Sequence, residues 1–313
     1  MKLFFKKIAF LMMVSIISYN VFASALQCDK KDFSLQLLGS GGPISDDKRA
    51  SSGELIWWQG SPFMLIDAGG GTYLRFGQSG AKLEDVKIIG VTHLHTDHVS
   101  DLPAILKGGY FFDHKKDMVL FGPERGGVFP SMTEFFEDLF NSKGAFAYLV
   151  GLHNAQDGIK IAMKVKNVNY KSESAVVIYK KDGITVSALG IPHGDVPCLA
   201  YKIQTAKGTI VVSADQNGSH KNFIDFAKGA DILLMPAAID ENADAQSKFM
   251  HASPSVIGEI AAKTKPKILV INHFMGKSLQ TKDQTVAIIK KYYNGPIYSS
   301  RDLSCFPVTD NKE

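Results

Sequence analysis

A cluster of four metal-ligand side chains constrains this sequence more tightly than any other feature. The segment His93-Leu94-His95-Thr96-Asp97-His98 comes just after the apolar run 86–91. Side chains two residues apart do not face each other on a helix, so His93 and His95 can share a metal only where the chain is extended or turning. The β-branched run predicts such a strand. We therefore expect a metal site at its end.

The residue types in this cluster indicate the kind of metal site. Imidazole and carboxylate ligands suit zinc, and they also suit iron or manganese. The cluster contains no cysteine, which argues against a closed structural zinc finger and favours an open catalytic site. Because these ligands fit several divalent ions, the choice among zinc, manganese and iron stays open.

The first 25 residues have the layout of a secretory signal peptide. Three lysines precede an apolar stretch from Ile8 to Ile17, and Ala23-Ser24-Ala25 offers small residues for cleavage after Ala23 or Ala25. The apolar stretch is shorter than the ~20 residues that a spanning helix needs. We therefore predict a secreted or periplasmic protein with no membrane span after cleavage.

Removal of this segment brings the chain close to neutral charge. Loss of Lys2, Lys6 and Lys7 lowers the formal charge from +4 to +1, since no acidic residue is removed with them. A nearly neutral mature chain lacks the broad basic surface expected of a nucleic-acid binder. Local basic patches remain compatible with this charge.

Three cysteines remain in the mature chain: Cys28, Cys198 and Cys305. In an oxidising compartment two of them could pair, and Cys28 with Cys305 would join the N-terminal strand to the C-terminal one. Apolar neighbours suggest that Cys198 is instead a packed small residue.

The chain reads as one domain from residue 26 to residue 313. It is 313 residues long, 45% hydrophobic and 21% charged, and no Pro/Ser-rich linker divides it. Short apolar strands alternate with helical patterns. The expected strands are 33–38, 54–58, 62–66, 86–91, 118–121, 184–189, 199–204, 209–213, 232–235 and 268–271. The expected helices begin after Thr72 and span 98–106, 131–140, 222–228, 253–263 and 281–292. This alternation predicts an α/β protein whose sheets are covered by helices.

Three further candidate ligands stand where predicted strands end. His193 follows the run 186–192, Asp215 follows 210–214, and His273 follows 268–272. Each of them alone would be read as a hydrogen-bonded loop residue. Together with the first cluster they favour one shared site.

These motifs resemble those of the metallo-β-lactamase superfamily. The segment 93–98 identifies that superfamily rather specifically, and Asp67, His193, Asp215 and His273 match four further motifs in order. The resemblance extends from Leu37 to Asp302. It implies a four-layer αββα sandwich with a two-metal site at one edge of the β layers.

The resemblance also implies a role for each ligand. His93, His95 and His193 would hold the first metal, Asp97, His98 and His273 the second, and Asp215 would bridge both. The resemblance further implies a shared hydroxide as nucleophile, because metal coordination lowers the pKa of water. Asp67 would support the site by orienting a ligand histidine, although it could equally just end a strand before Gly69-Gly70-Gly71.

Three features bear on the branch of the superfamily to which the chain is similar. The commonest β-lactamases of this superfamily have cysteine where this chain has Asp215, which disfavours antibiotic hydrolysis. The segment Gly39-Ser40-Gly41-Gly42-Pro43, with Arg49 and Ser51, is similar to the branch of ribonuclease Z, phosphodiesterases and arylsulfatase-like enzymes. Residues 249–254 match that branch's additional histidine motif. In that branch such a histidine contacts the substrate phosphate and donates a proton to the leaving oxygen, which is the role that the resemblance implies for His251. The alternative is that His251 merely flanks the helix that begins at Ser253.

We therefore expect an exported hydrolase that acts on a small-molecule phosphodiester or related ester, with Asp97, Asp215 and His251 as catalytic residues and two divalent ions, zinc first, as cofactors. An alternative keeps the metal site but hydrolyses a lactone, a thioester or a sulfate ester, with Tyr110, Phe111 and Phe112 as an apolar lip. A third hypothesis is a non-hydrolytic di-iron or ligand-binding protein. Di-iron relatives usually replace a histidine with a carboxylate and carry a flavin-binding domain, and neither is found here.

Overall fold

A computed structural model describes residues 32–309 of the chain. The predicted signal peptide and Cys28, one half of the predicted disulfide, lie outside these residues. Cys198 is a buried free thiol, as its apolar neighbours indicate.

The first sheet has seven strands in the order β14-β1-β2-β3-β4-β5-β6. Its strands β3, β4, β5 and β6 run parallel, while β14, β1 and β2 pair antiparallel. The strands are β1 (Phe33–Gly39), β2 (Gly53–Trp58), β3 (Ser61–Ile66), β4 (Ile88–Gly90), β5 (Lys116–Pro123), β6 (Ile161–Val168) and β14 (Cys305–Pro307).

The second sheet also has seven strands, in the order β13-β12-β11-β10-β9-β8-β7. Strands β10 to β13 are parallel, and β7, β8, β9 and β10 pair antiparallel. The strands are β7 (Val176–Lys181), β8 (Ile184–His193), β9 (Val196–Thr205), β10 (Gly208–Val212), β11 (Ile232–Pro236), β12 (Ile268–Asn272) and β13 (Ile297–Ser299).

Three apolar layers separate the sheets and helices. Alternate residues of one strand enter different layers, since successive side chains of a strand point to opposite faces. In β4, Ile88 packs between the two sheets and Ile89 packs under the helices. In β11, Leu234 lies between the sheets and Leu233 under the helices of the other side. The predicted four-layer αββα sandwich is confirmed.

The helices follow the predicted pattern closely, with one correction. The helix expected at 98–106 is two short helices, because Pro103 lacks an N–H and its ring would clash inside a continuous helix. The helices are α1 (Thr72–Gln78), α2 (Thr96–Val99), α3 (Leu102–Lys107), α4 (Met132–Phe140), α5 (Phe223–Ala227), α6 (Ala245–Met250), α7 (Pro254–Thr264), α8 (Gly276–Gln280) and α9 (Lys282–Ile289). Short 3-10 turns lie at Leu83–Asp85, Gly108–Phe111 and Ala147–His153.

Three strands and two helices were absent from the sequence prediction: β6, β7, β13, α6 and α8. The C-terminal strand expected at Cys305 is β14. Strands β6 and β7 form free edges of the two sheets, and both carry lysines that interrupt the apolar pattern. Charged side chains are common on edge strands, where they discourage pairing with other chains. Within residues 32–309, no helix is long and apolar enough to cross a membrane.

Candidate metal centre

The candidate ligands meet because parallel strands end at the same edge of each sheet. His93 follows β4, and the short helix α2 then carries Asp97 and His98. In the facing sheet, His193 is the last residue of β8, while Asp215 and His273 follow β10 and β12. All seven candidate ligands therefore lie at one edge of the sandwich, where the sequence analysis expected them.

The first group of ligands consists of three histidines. His93 Nε2 lies 3.0 Å from His95 Nδ1, and His193 Nε2 lies 3.4 Å from the same atom. His93 and His193 are buried, whereas His95 is partly exposed. The ring nitrogens thus converge on one point that is open on the side of His95.

The second group combines two histidines with a carboxylate. Asp97 Oδ2 lies 3.5 Å from His98 Nε2 and 3.7 Å from His273 Nε2. All three residues are buried. Their spacing matches that of the first group, although one ligand is now an oxygen.

Asp215 lies between the two groups. Its Oδ2 atom is 3.1 Å from His273 Nε2, 3.6 Å from His98 Nε2 and 3.8 Å from His193 Nε2. One carboxylate oxygen therefore reaches histidines of both groups. This is the position that a bridging ligand requires.

The donor set fits divalent metal ions. Ligand atoms ~2.1 Å from a tetrahedral metal lie roughly 3.4 Å from one another, and the nitrogens of the first group are 3.0 and 3.4 Å apart. A cation between these groups would meet several ring nitrogens and carboxylate oxygens at once. The predicted metal-binding character of the cluster is confirmed, whereas the identity and number of the ions remain predictions.

The electrostatics of the first group suit metal binding. Burial lowers the pKa of His93 well below its usual value, and repulsion from His98 and His193 lowers it further. Burial also lowers the pKa of His95 and that of His193. These rings are therefore neutral at pH 7, which is the form that binds a metal.

The charged groups of the site hold each other in their ionised forms. Burial opposes ionisation of Asp215, but His273 and His98 hold its pKa well below the usual range. Burial likewise opposes protonation of His98, but Asp67 and Asp215 raise its pKa well above the usual value. The positive charge of a bound cation would replace that of the proton on His98.

Asp67 contacts a ligand histidine, as the sequence analysis proposed. His98 Nδ1 donates to Asp67 Oδ2 at 2.7 Å, which leaves Nε2 facing the metal position. The backbone N–H and the hydroxyl of Thr92 also donate to this carboxylate, each at 2.7 Å. The Thr92 hydroxyl in turn lies 3.0 Å from His93 Nδ1. Asp67 thus orients one histidine directly and a second one through Thr92.

Two further supports of the ligands were missed from the sequence. Ser52 Oγ lies 2.9 Å from His273 Nδ1, and His193 Nδ1 donates to the backbone carbonyl of Met250 at 2.7 Å. A polar pair, Ser51-Ser52, just before a strand was the available signal for the serine. A backbone carbonyl leaves no signal in the sequence.

Glu54 was also missed, although it is a fully buried carboxyl below the site. With Ser52, His98, Asp215 and His273 it lines an internal cavity of about 20 Å³, and its Oε1 accepts a hydrogen bond of 3.1 Å from Asn272 Nδ2. Burial raises its pKa well above the usual range, and the charge of Asp67 adds to this. A lone glutamate in an apolar strand could have been noticed.

The backbone turns sharply at three of the strand ends that carry the site. Asp67, Ala214 and His273 have positive φ angles of 58°, 53° and 55°. This left-handed conformation is uncommon for residues other than glycine and costs of order 1–3 kcal/mol each. Packing of the two sheets holds these residues in place, and strain of this kind clusters at functional sites.

Gly69 allows the segment that carries Asp97 to approach β3. A Cβ atom on Gly69 would lie only 1.9 Å from the backbone carbonyl oxygen of Asp97. The glycine is therefore required for the short distance between the two segments. This gives the Gly69-Gly70-Gly71 run a packing role at its first position.

His251 lies directly beside the ligands. Its Nδ1 is 3.8 Å from Asp215 Oδ2, and its ring centroid is 5.0 Å from that of His193. This Nδ1 is buried and has no hydrogen-bond partner among the described residues. A polar atom left unpaired in this way is available to a ligand.

The aromatic lip expected at residues 110–112 does not lie at the site. Gly108–Phe111 precedes the amino end of β5, whereas His93 follows the carboxyl end of the parallel strand β4. The two segments are therefore at opposite ends of the sheet. Phe129, after the carboxyl end of β5, lies at the site instead, with its ring centroid 5.7 Å from that of His95.

Comparison with known proteins gives the family of the chain. Residues 64–274 match the model of the β-lactamase superfamily domain. The match includes Asp67 and all seven candidate ligands. The chain belongs to the metallo-β-lactamase superfamily. The predicted family resemblance is confirmed.

Similar proteins within the superfamily include ribonuclease Z enzymes. The ribonuclease Z of Metallosphaera sedula is 22% identical over 267 residues, which cover 79% of this chain and 89% of that protein. Two solved structures share the fold at 18% identity over 88% of this chain. One is the metallo-β-lactamase fold protein YhfI of Bacillus subtilis, of which 98% is covered with a TM-score of 0.68. The other is the short form of human tRNase Z, of which 100% is covered with a TM-score of 0.66.

This metallo-β-lactamase superfamily member is therefore a hydrolase of the ribonuclease Z-like branch. Its cluster of histidines and aspartates is compatible with a binuclear metal site. The expectation of a metal-dependent enzyme is confirmed. The third hypothesis, a non-hydrolytic protein, is disfavoured by the same family assignment.

Proposed function

We propose that this protein hydrolyses phosphodiesters at a site that holds two divalent metal ions, zinc first among the candidates. The observation that carries the proposal is the position of His251. Its unpartnered Nδ1 faces Asp215 from outside the two ligand groups. The relatives named ribonuclease Z support a phosphodiester as the class of substrate.

At such a site the seven ligands would be shared between the two ions. His93, His95 and His193 would hold one ion, and Asp97, His98 and His273 the other, with Asp215 shared between them. Bound cations would supply an activated water and would stabilise negative charge at phosphorus. Asp67, Ser52 and the Met250 carbonyl keep the histidine rings in the orientation that binding needs.

His251 would act on the leaving oxygen. Burial lowers its pKa to about 4, so the ring is neutral at pH 7 before substrate binds. An anionic phosphodiester next to the ring would favour the imidazolium, because a nearby opposite charge stabilises the charged form. The imidazolium could then donate its proton to the leaving oxygen as the ester bond breaks.

A metal count and a substrate panel test this proposal. The purified protein is expected to hold two metal ions per chain and to hydrolyse bis(p-nitrophenyl) phosphate in preference to a p-nitrophenyl sulfate, a lactone or a β-lactam. Hydrolysis of the lactone or of the sulfate ester alone would replace the phosphodiesterase proposal with the alternative ester hydrolase. One metal or none, with no hydrolysis, would contradict it entirely.

The variant His251→Ala separates the two roles open to this residue. We expect turnover to fall by ~100-fold or more, with the metal content unchanged. His114→Ala serves as the control, since His114 is exposed and lies before the amino end of β5. Loss of metal from His251→Ala would place this residue among the ligands.

We also propose that the protein is exported. The support is the basic, apolar and small-residue pattern of residues 1–25. Expression of the full-length chain in a Gram-negative host, followed by mass measurement of the periplasmic fraction, is expected to give a protein that begins at Ser24 or Leu26. An uncleaved cytoplasmic product would refute export.

A further inference from the structure

Two phenylalanines flank the ligand pair His95 and His193. Phe129 packs edge-on against His95, with an interplanar angle of 65°. Phe249 packs on Gly194, the residue after His193: a Cβ atom built there would lie 3.1 Å from a carbon of the Phe249 ring. The two rings come from the loop after β5 and from α6. They stand next to His95, which is partly exposed, and next to the buried His193.

Apolar surface is exposed next to these rings. Val128, beside Phe129, is 90% exposed, and Phe249 itself is 45% exposed. Exposed apolar side chains at the rim of a polar site commonly mark a place where a ligand covers them. Because this surface begins at the candidate ligands, a substrate bound at the site would lie against it.

A cation of the loop after β5 is already paired. Arg125 forms a salt bridge of 2.8 Å with Glu134. Proteins that bind a polynucleotide usually present several unpaired cations to its phosphates. The loop that carries Val128 and Phe129 is therefore better suited to an apolar group than to a second phosphate.

The position of His251 indicates which side of the substrate this group is on. Phe249 is two residues before His251, at the end of the same helix. If His251 protonates the leaving oxygen, the substituent on that oxygen lies next to Phe249.

We infer that the leaving group is an apolar alcohol or phenol held between Phe129 and Phe249. This inference rests on the proposed phosphodiesterase function and narrows its substrate. In the reaction, the oxygen of water bonds to phosphorus and its proton passes to the solvent, while the bond from phosphorus to the leaving oxygen breaks. That oxygen takes a proton from the His251 imidazolium, which forms by uptake of a proton from solvent when the anionic substrate binds and is left neutral. The products are a phosphomonoester and the apolar alcohol.

Two phosphodiesters that differ only in the leaving alcohol test the inference. The leaving alcohols are benzyl alcohol and ethanol, which are of similar acidity. The ratio of kcat/KM for the benzyl ester to kcat/KM for the ethyl ester therefore reports contacts with the benzyl ring rather than chemical reactivity. Phe129→Ala and Phe249→Ala are each expected to lower the benzyl-to-ethyl ratio by about tenfold, which corresponds to ~1.4 kcal/mol of lost apolar contact. The readout is the ratio within each protein, so an effect of a substitution on both esters alike does not alter it.

Phe111→Ala is the matched control. Phe111 is 81% exposed but lies at the opposite end of the sheet, so the ratio should stay at the value of the unaltered protein. If both test variants keep the original ratio while both esters are hydrolysed, this inference is wrong and the proposed function stands. If the unaltered protein hydrolyses neither ester, the proposed function fails and the inference fails with it. A higher kcat/KM for an oligonucleotide than for the benzyl ester would also overturn the inference.

Discussion

His98 donates a hydrogen bond of 2.7 Å from its Nδ1 atom to Oδ2 of Asp67, and both side chains are 2% exposed. The bond joins the end of β3 to the helix α2 that carries two ligands of the second group. It fixes which nitrogen of His98 faces the metal position. The geometry of the second group therefore depends on a carboxylate that is not one of the seven candidate ligands.

Replacement of this carboxylate should weaken metal binding. Asp67→Asn keeps the size of the side chain but loses the charge. The new amide NH2 group is a donor and would face another donor, because Thr92 directs both its N–H and its O–H at this side chain. We expect metal affinity to fall 10- to 100-fold, a range typical of such supporting groups. Titration against a competing chelator measures this. Asp117→Asn, at a 70% exposed carboxylate, is the control, and equal affinities for the two variants would contradict the role of Asp67.

Gly69→Ala should damage the second ligand group specifically. The added Cβ would meet the carbonyl oxygen of Asp97 at 1.9 Å, so the segment that carries Asp97 and His98 must move. We expect a loss of stability of about 1–3 kcal/mol together with a loss of bound metal. Gly77→Ala in α1 is the matched control, because its Cβ would meet nothing within 4 Å. A Gly69→Ala protein with normal metal content and stability would show that the segment adapts freely.

The stability of the metal-free protein should depend on pH through His251. Burial lowers the pKa of this ring to about 4 from an ordinary value of 6.5. Between these two values the unfolded chain binds a proton that the folded protein does not, so stability falls as the pH is lowered. The free energy of unfolding is therefore unaffected by this ring above pH 6.5, and it falls by about 3 kcal/mol as the pH is lowered from 6.5 to 4. Urea unfolding of the chelated protein at pH 7 and pH 4 should show a smaller loss for His251→Asn than for the unaltered protein.

Removal of metal should destabilise the folded state. An ion that binds only the folded protein stabilises it by about 2.7 kcal/mol at a concentration one hundred times its Kd. Chelation is therefore expected to lower Tm, and added zinc to restore it. His273→Ala, which removes a ligand of the second group, should respond less to zinc. An identical response of the two proteins would place the stabilising ion elsewhere.

The ligand set could be predicted because it depends on residue types at the ends of apolar runs. His193, Asp215 and His273 each follow such a run, and parallel strands bring their carboxyl ends together. The two-sheet arrangement came from the family resemblance rather than from the periodicity of single strands.

The supports around the ligands could not be predicted in the same way. Ser52 acts through a hydroxyl and Met250 through a carbonyl, and each is separated from its histidine by more than 50 positions in sequence. Such pairs exist only once the sheets have packed. Phe129 was missed for a similar reason: it looks like Phe111 in sequence, and only the direction of β5 shows which of the two lies at the site.

The division of the ligands between the two sheets has a consequence for assembly. His93, His95, Asp97 and His98 come from the first sheet, and His193, Asp215 and His273 from the second. A bound ion would therefore work as an internal clamp across the sandwich, linking parts of the chain 180 positions apart, from His93 to His273. Neither half can hold the ion tightly before the other has folded. Metal uptake would then be a late event, and tightly held metal would mark molecules in which both sheets are complete.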